Sequence, residues 1–254
     1  MVDLQIKNDI IIVIIFFKGV LIVNSYNAKE EKIIEMIKTL IDSGVSEQLI
    51  VSRFESKIFD LKKPELYFWF AKNVKGIDVK AHEQAVIDKR DPEWNYKFAK
   101  NVKGSDINAH GQVIINSGSL EWNYKFAKDI KGADVEAHER VIIRNGDPCY
   151  NYMFARYIKG ADVRALGQAI INSGDLEWNF NFAKNVRGSD VKAHGQVIKY
   201  SGDPEWNYKF AKYIDGIDTK SNGHGEAVIN SCDLEWNYKF ARDIIGADVR
   251  AHSN

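Results

Sequence analysis

Asp91-Pro92-Glu93-Trp94-Asn95-Tyr96-Lys97-Phe98-Ala99-Lys100-Asn101-Val102-Lys103-Gly104 returns, barely altered, from Ser119, Asp147, Asp175, Asp203 and Asp233, and in a looser copy from Lys63. The start points 63, 91, 119, 147, 175 and 203 are 28 residues apart, and the last step, to 233, is 30. A period in this range marks a solenoid, in which no unit buries its apolar face alone and stacking completes the core. Seven units follow: 63–90, 91–118, 119–146, 147–174, 175–202, 203–232 and 233–254. The expected fold is all-α: a right-handed α-solenoid of 28-residue helix-turn-helix repeats behind a separate N-terminal cap, residues 1–62.

Each unit carries the punctuation for two helices. Pro64, Pro92, Pro148 and Pro204 stand at the second repeat position, and Asp91, Asp147 and Asp203 precede three of them. An aspartate N-cap accepts from a first-turn N–H, and proline next to it loses nothing because its missing N–H would be unpaired anyway. A glycine follows the first helix in every unit, at 76, 104, 132, 160, 188, 216 and 246, and is read as the left-handed residue that closes it. Two residues on, Asp78, Asp106, Asp134, Asp162, Asp190, Asp218 and Asp248 are read as caps of a second helix. That helix runs about ten residues, to Gly118, Gly146, Gly174 or Gly202. Helices this short are marginal alone, so their stability must come from stacking.

At about 100° per residue, Trp94, Phe98 and Val102 share one side of the first helix, with Ala99 beside them. Asn95 falls inside that apolar arc, as do Asn123, Asn151, Asn179, Asn207 and Asn237 in their units. A buried amide without a partner costs roughly 1–3 kcal/mol, so these predict an asparagine ladder bonded to turn or neighbouring-unit backbone groups. The tryptophans at 94, 122, 178, 206 and 236 share a register that continues into Phe and Val. That favours inter-repeat core over stacking platforms for bases. Tyr96, Tyr124, Tyr152, Tyr208 and Tyr238 sit at the border of the arc, where a ring is buried and its hydroxyl stays wet.

Every histidine belongs to a second helix. His82, His110, His138, His194 and His252 lie four residues after the capping aspartate, and His224 is the same residue displaced by an insertion. Imidazoles one helix-packing distance apart, ~8–10 Å, do not converge on a zinc ion with bonds of ~2.0–2.1 Å. Leu166 replaces the histidine in one unit, which argues for an apolar packing position. Neither metal nor cofactor is expected.

Lysine plus arginine equal aspartate plus glutamate at 35 each, so only the distribution of charge points to a partner. Positions 7, 10 and 13 of the first helix are usually basic: Lys97, Lys100, Lys103; Lys125, Lys128, Lys131; Arg156, Lys159; Lys184, Arg187; and, further on, Lys209, Lys212, Lys239 and Arg242. Asp215 and Ile245 interrupt the series, so a partner-binding ridge is expected to centre on residues 97–187. The plainer reading is a solvated face that complements helix C-termini. The sharper one is a track for phosphates or for an acidic protein, with salt-dependent affinity.

The apolar run from Ile10 to Val23, broken by Lys18 and Gly19, is shorter than the ~20 residues of a membrane helix. Asp3 and Asp9 spoil the positive leader of a signal peptide. Its β-branched residues suit a β-hairpin joined near Lys18-Gly19 and one buried helix equally; either covers an end of the stack. A helix over 28–42 and a second capped by Ser46 then form a degenerate first unit. Cys149 and Cys232 occupy different repeat positions in units that are not neighbours, beyond the ~7 Å reach of a disulfide. Two unpaired thiols fit the cytoplasm. Unit 147–174 departs from the consensus at Cys149, Met153 and Leu166, and unit 203–232 gains two residues around 219–225. The last unit reaches only one turn into its second helix, so a homodimer through that uncapped repeat is a further expectation.

The paired short helices resemble short HEAT-like repeats over residues 63–254. The wording of the unit, Glu-Trp-Asn-Tyr-Lys-Phe-Ala-Lys followed by Lys-Gly-Ala-Asp-Val, is similar to tandem repeats common in bacterial and phage or mobile-element proteins. Some small proteins of that setting inhibit CRISPR effectors, type VI RNA-guided ribonucleases included, and the resemblance implies an anti-CRISPR inhibitor of that kind. No nucleophile–base pair, metal cluster or phosphate loop stands in the sequence. The expectation is a non-enzymatic scaffold that grips a protein or ribonucleoprotein, with no membrane partner. Nucleic-acid backbone binding along the lysine ridge is the alternative. A HEAT-like glycosylase ranks last, because the acidic residues recur mostly as caps.

Overall fold

The structure, a computed structural model, describes residues 2–7, 10–17, 20–27, 30–214 and 223–253, with side chains from residue 33 to 252 in those ranges. Among the described residues, three strands precede fifteen α-helices. β1 (Val2–Lys7), β2 (Ile10–Phe17) and β3 (Val20–Asn27) form an antiparallel sheet in chain order, with Leu4 opposite Val13 and Val13 opposite Asn24. The hairpin is thus two strands of a three-stranded sheet, and the helical alternative for the apolar run is overturned. The alternation Val2, Leu4, Ile6 against Asp3, Gln5, Lys7 is the period-two signal that identifies the extra strand. The join at Lys18-Gly19 lies outside the described residues.

α1 (Glu30–Asp42) packs against β3 and α2 (Glu47–Leu61) against β1. α1 buries Ile33, Met36, Ile37 and Leu40, and α2 buries Ile50, Phe54 and Ile58. Ser46 Oγ accepts from the Leu49 N–H at 3.3 Å, as an N-cap should.

From Pro64 onward helices alternate. The first helices of the units are α3 (Pro64–Asn73), α5 (Pro92–Asn101), α7 (Leu120–Asp129), α9 (Pro148–Tyr157), α11 (Leu176–Asn185), α13 (Pro204–Tyr213) and α15 (Leu234–Asp243). The second helices are α4 (Val79–Lys89), α6 (Ile107–Ser117), α8 (Val135–Asn145), α10 (Val163–Ser173), α12 (Val191–Ser201) and α14 (His224–Asn230). The chain forms two compact units, residues 1–122 with 129–133 and residues 123–128 with 134–254. In the former, α3 pairs with α4 and α5 with α6, and like helices of the two repeats touch, α3 on α5 and α4 on α6. In the latter, α9, α11 and α13 pair with α10, α12 and α14, and successive first and second helices touch in the same way. The array is therefore the all-α repeat solenoid that the period demands.

The aspartates cap as expected: Asp91 Oδ1 accepts from the Glu93 and Trp94 N–H groups at 2.9 and 3.2 Å, and Asp190 Oδ1 from the Ala193 N–H at 3.0 Å. The first-helix glycines need correction. Gly76 and Gly104 take positive φ (77° and 79°), but they lie beyond the capping residue, three positions past the last helical residues Asn73 and Asn101. The cap itself is an extended Val or Ile, such as Val74, Val102 or Val186, whose N–H donates to the carbonyl of the phenylalanine four residues back. An apolar residue closes the helix because its side chain is drawn into the core, and the glycine then turns the chain. The left-handed cap belongs to the second helices, at Gly118, Gly146, Gly174 and Gly202, and at Arg90, which adopts it with φ 55°. Asp215, Gly216, Asp218 and residues 219–222 of the insertion lie outside the described residues.

One phenylalanine per unit, Phe70, Phe98, Phe126, Phe154, Phe182, Phe210 and Phe240, is fully buried. Each contributes about 1.5–3 kcal/mol by leaving water, so the row is the main apolar support of the repeats. Among the described residues no helix is long and apolar enough to cross a membrane.

Candidate functional site

The buried polar groups answer to one another. Asn95 donates its amide protons to the Asp91 carbonyl at 2.8 Å and to the Val86 carbonyl at 3.3 Å, and so ties its helix cap to the preceding second helix. Asn179, Asn207 and Asn237 do the same to Ile170, Ile198 and Val228. With both N–H bonds directed to carbonyls, the amide oxygen is left to accept, and it does so from the histidine of the same unit. His110, His138, His194, His224 and His252 each place Nδ1 at 2.7 Å from the asparagine oxygen of their unit. The acceptor fixes the tautomer: Nδ1 carries the proton, and in the neutral ring Nε2 is a lone pair.

The expected asparagine ladder is present, and the histidine is its other half rather than an apolar filler. Sequence reasoning missed the pairing because the two residues lie on different helices. The signal was available as a constant separation of 15 residues in four of the units.

The residue one past the histidine position of the preceding unit decides what Nε2 meets. His82 Nε2 lies 3.1 Å from Glu55 Oε1, and His110 Nε2 lies 3.4 Å from Glu83 Oε1, which also accepts from the Asp106 N–H. Where glycine takes that place, as at Gly167, Phe182 and His194 Nε2 close over it, and a Cβ there would come within 3.1 and 3.3 Å of them. His138 Nε2 and His194 Nε2 are buried with no partner. Burial lowers His138, His194 and His224 to about 4. These imidazoles are neutral, enclosed and each bonded to its own asparagine. Among the described residues no three His, Cys, Asp or Glu side chains gather as metal ligands.

Unit 147–174 breaks the pattern. Leu166 is fully buried in the histidine's place, and the Asn151 amide oxygen is left without a partner. Glu139, also buried, accepts from the Asp162 N–H at 2.7 Å, and desolvation raises its pKa.

The expected basic ridge resolves into three kinds of position. At position 7, Lys97 pairs with Glu93 at 2.6 Å and lies 4.0 Å over the Trp94 ring; Lys209 and Lys239 repeat this with Glu205 and Glu235 over Trp206 and Trp236. Lys125, in the same position, is also partnered. The tryptophans are half-buried at the edge of the core, where Trp94, Trp206 and Trp236 pack against it, and the expected inter-repeat packing is present: they meet the position-6 aromatic of the preceding repeat, as in Tyr96–Trp122 (5.4 Å) and Tyr152–Trp178 (5.3 Å).

Position 10 reaches forward to position 11 of the next repeat. Lys100 Nζ bonds Asp129 at 2.7 Å together with the Tyr96 hydroxyl, and Lys212 bonds Asp243 at 2.9 Å together with the Tyr208 hydroxyl. Lys128 instead lies 5.7 Å from the Tyr157 ring centre, Arg156 donates to the Asn185 carbonyl, and Lys184 lies 5.0 Å from the Tyr213 ring centre. Position 13 holds Lys103, Lys131, Lys159 and Arg187, all exposed and without an ion pair among the described residues. Half-exposed Tyr157 and Tyr213 at position 11 were not singled out from sequence, because the register reading followed the charges and passed over the residue beside them.

Cys149 and Cys232 are free thiols. The chain matches no known protein family, no curated protein and no solved structure.

Proposed function

We propose that the chain is a non-catalytic repeat scaffold that binds a macromolecular partner. One observation carries this reading: each described histidine is enclosed in the repeat packing, and a general acid or base must reach its substrate. What the first helices offer outward includes the exposed cations of position 13 and the exposed rings of position 11, a surface suited to holding rather than transforming. The most concrete form, implied by the likeness of the repeat wording to mobile-element proteins, is a cytoplasmic inhibitor that occupies an RNA-guided ribonuclease. Affinity capture on the intact chain, with and without nuclease treatment and followed by mass spectrometry, tests it. A stoichiometric protein or ribonucleoprotein is the expected result, and recovery of none removes the reading.

A second reading, nucleic-acid backbone binding, is supported by the unpaired cations of position 13, Lys103, Lys131, Lys159 and Arg187. It predicts retention of RNA or duplex on filters at low salt and release at high salt. No retention at low salt removes it.

A further inference from the structure

We propose that, in the unit formed by residues 123–128 and 134–254, the first-helix surface bearing Tyr157 and Tyr213 binds single-stranded nucleic acid. Bases stack on the two phenol rings, and phosphates meet Arg156, Lys159, Lys184 and Arg187. The proposal rests on the scaffold reading and names a ligand class for one of its surfaces.

The starting point is what position 11 does to the cation that reaches it. At Asp243 the cation is neutralised: Lys212 and Arg242 both bond that carboxylate, which lies well below the usual carboxylate range as a result. At Tyr157, Asn185 and Tyr213 there is no carboxylate. Arg156 spends one N–H on a neutral carbonyl, and Lys184 lies over two rings, Phe180 at 5.5 Å and Tyr213 at 5.0 Å. Their charges stay available to an anion from solution. Lys159 and Arg187, three residues further along each chain segment, are exposed and add to the same sign.

The tyrosines are the second observation, independent of charge. Tyr157 is 54% and Tyr213 47% exposed, whereas Tyr124 and Tyr208 in the same unit are 7% exposed and serve as packing. Each exposed ring is held between cations: Lys128 at 5.7 Å and Arg156 at 5.6 Å for Tyr157, Lys184 at 5.0 Å and Lys212 at 5.5 Å for Tyr213. A flat ring with a cation beside it offers an unpaired base a π face and the neighbouring phosphate a counter-charge. Duplex bases are already stacked and cannot use the ring. An acidic polypeptide would use the cations and leave the phenol faces idle, so the rings favour nucleic acid.

The test is fluorescence anisotropy on the full chain with labelled oligo-U and oligo-dT of about 12 nucleotides, a duplex of the same length, and a labelled oligo-glutamate peptide. Single strands are expected to bind at low salt and more tightly than duplex. The double variant Tyr157→Ala/Tyr213→Ala is expected to weaken binding at least tenfold with the salt slope unchanged, and Tyr157→Phe/Tyr213→Phe to keep it. Lys184→Glu/Arg187→Glu is expected to flatten the slope, since fewer counterions are released. Circular dichroism on each variant confirms that the helices persist. No single-strand binding at low salt, equal binding of duplex, or indifference to the tyrosine pair overturns the proposal. Binding of the glutamate peptide alone overturns the ligand class. If affinity capture still yields a partner in those cases, the scaffold reading survives; if it yields none, both fall.

Discussion

Leu166 stands in the place of a histidine, and Asn151 bears the consequence: its amide oxygen is buried and unbonded. An unsatisfied buried acceptor costs about 1–3 kcal/mol. In five other units the histidine Nδ1–H fills that need at 2.7 Å. Leu166→His is therefore expected to stabilise the protein by roughly 1 kcal/mol at neutral pH, even though it replaces an apolar side chain in the core. The buried Glu139 strengthens the expectation, since it occupies the place from which Glu83 meets His110. The reverse change, His194→Leu, strips Asn179 of its donor and is expected to cost about 1–2 kcal/mol despite the gain in hydrophobicity. Urea denaturation of the two variants checks both signs; a destabilised Leu166→His with a stable His194→Leu would show that the position only wants volume. The asparagines were legible because an amide in an apolar arc demands a partner. The partner was not, because a helical wheel sees one helix at a time.

Helix ends show where local chemistry speaks clearly and where tertiary packing overrides it. The N-caps were readable because Asp-Pro acts on its own first turn and needs nothing else. The first-helix C-termini were misread: the position of the glycine is legible, but the point at which Val or Ile leaves the helix is set by the core. Position 11 was hidden for the same reason, since its role depends on the neighbouring repeat's position 10.

The second helices close with a left-handed residue, which costs an L side chain about 1–2 kcal/mol and glycine almost nothing. Arg90 pays that strain at φ 55°, in the place held by Gly118, Gly146, Gly174 and Gly202 elsewhere. Arg90→Gly is expected to stabilise by about 0.5–1 kcal/mol, and Gly146→Ala, at φ 81°, to cost a similar amount. Thermal unfolding followed by circular dichroism measures the pair, and a loss of stability in Arg90→Gly would mean that the guanidinium holds a contact worth more than the strain.

At the scale of the whole molecule the histidines set a limit in acid. In the folded state His138, His194 and His224 are held to about 4, against 6.5 for an exposed imidazole. Burial is the cause for each, opposed by Asp134 beside His138 and Asp190 beside His194, and reinforced by Lys199 near His224. The folded state thus prefers the neutral ring. The stability this confers is fully present above pH 6.5 and is lost as pH falls from 6.5 towards 4, because the unfolded chain takes up the protons first.

Protonation would not break the Nδ1 bond to asparagine; it would bury a second N–H and a charge with nothing to accept them. Each of the three removes stability on the order of a few kcal/mol at most, so stability is expected to fall as pH drops from 6.5 towards 4. His82 and His110 are lowered by burial too, but Glu55 beside His82 and Glu83 beside His110 oppose the shift, and Glu83 faces His110 Nε2 to receive its new N–H. Hydrogen exchange followed by mass spectrometry from pH 7 to 4.5, corrected for the intrinsic rate, is expected to show residues 134–214 losing protection before residues 63–122. The opposite order, or full protection down to pH 4, would mean that the neutral imidazoles are not what the repeats depend on.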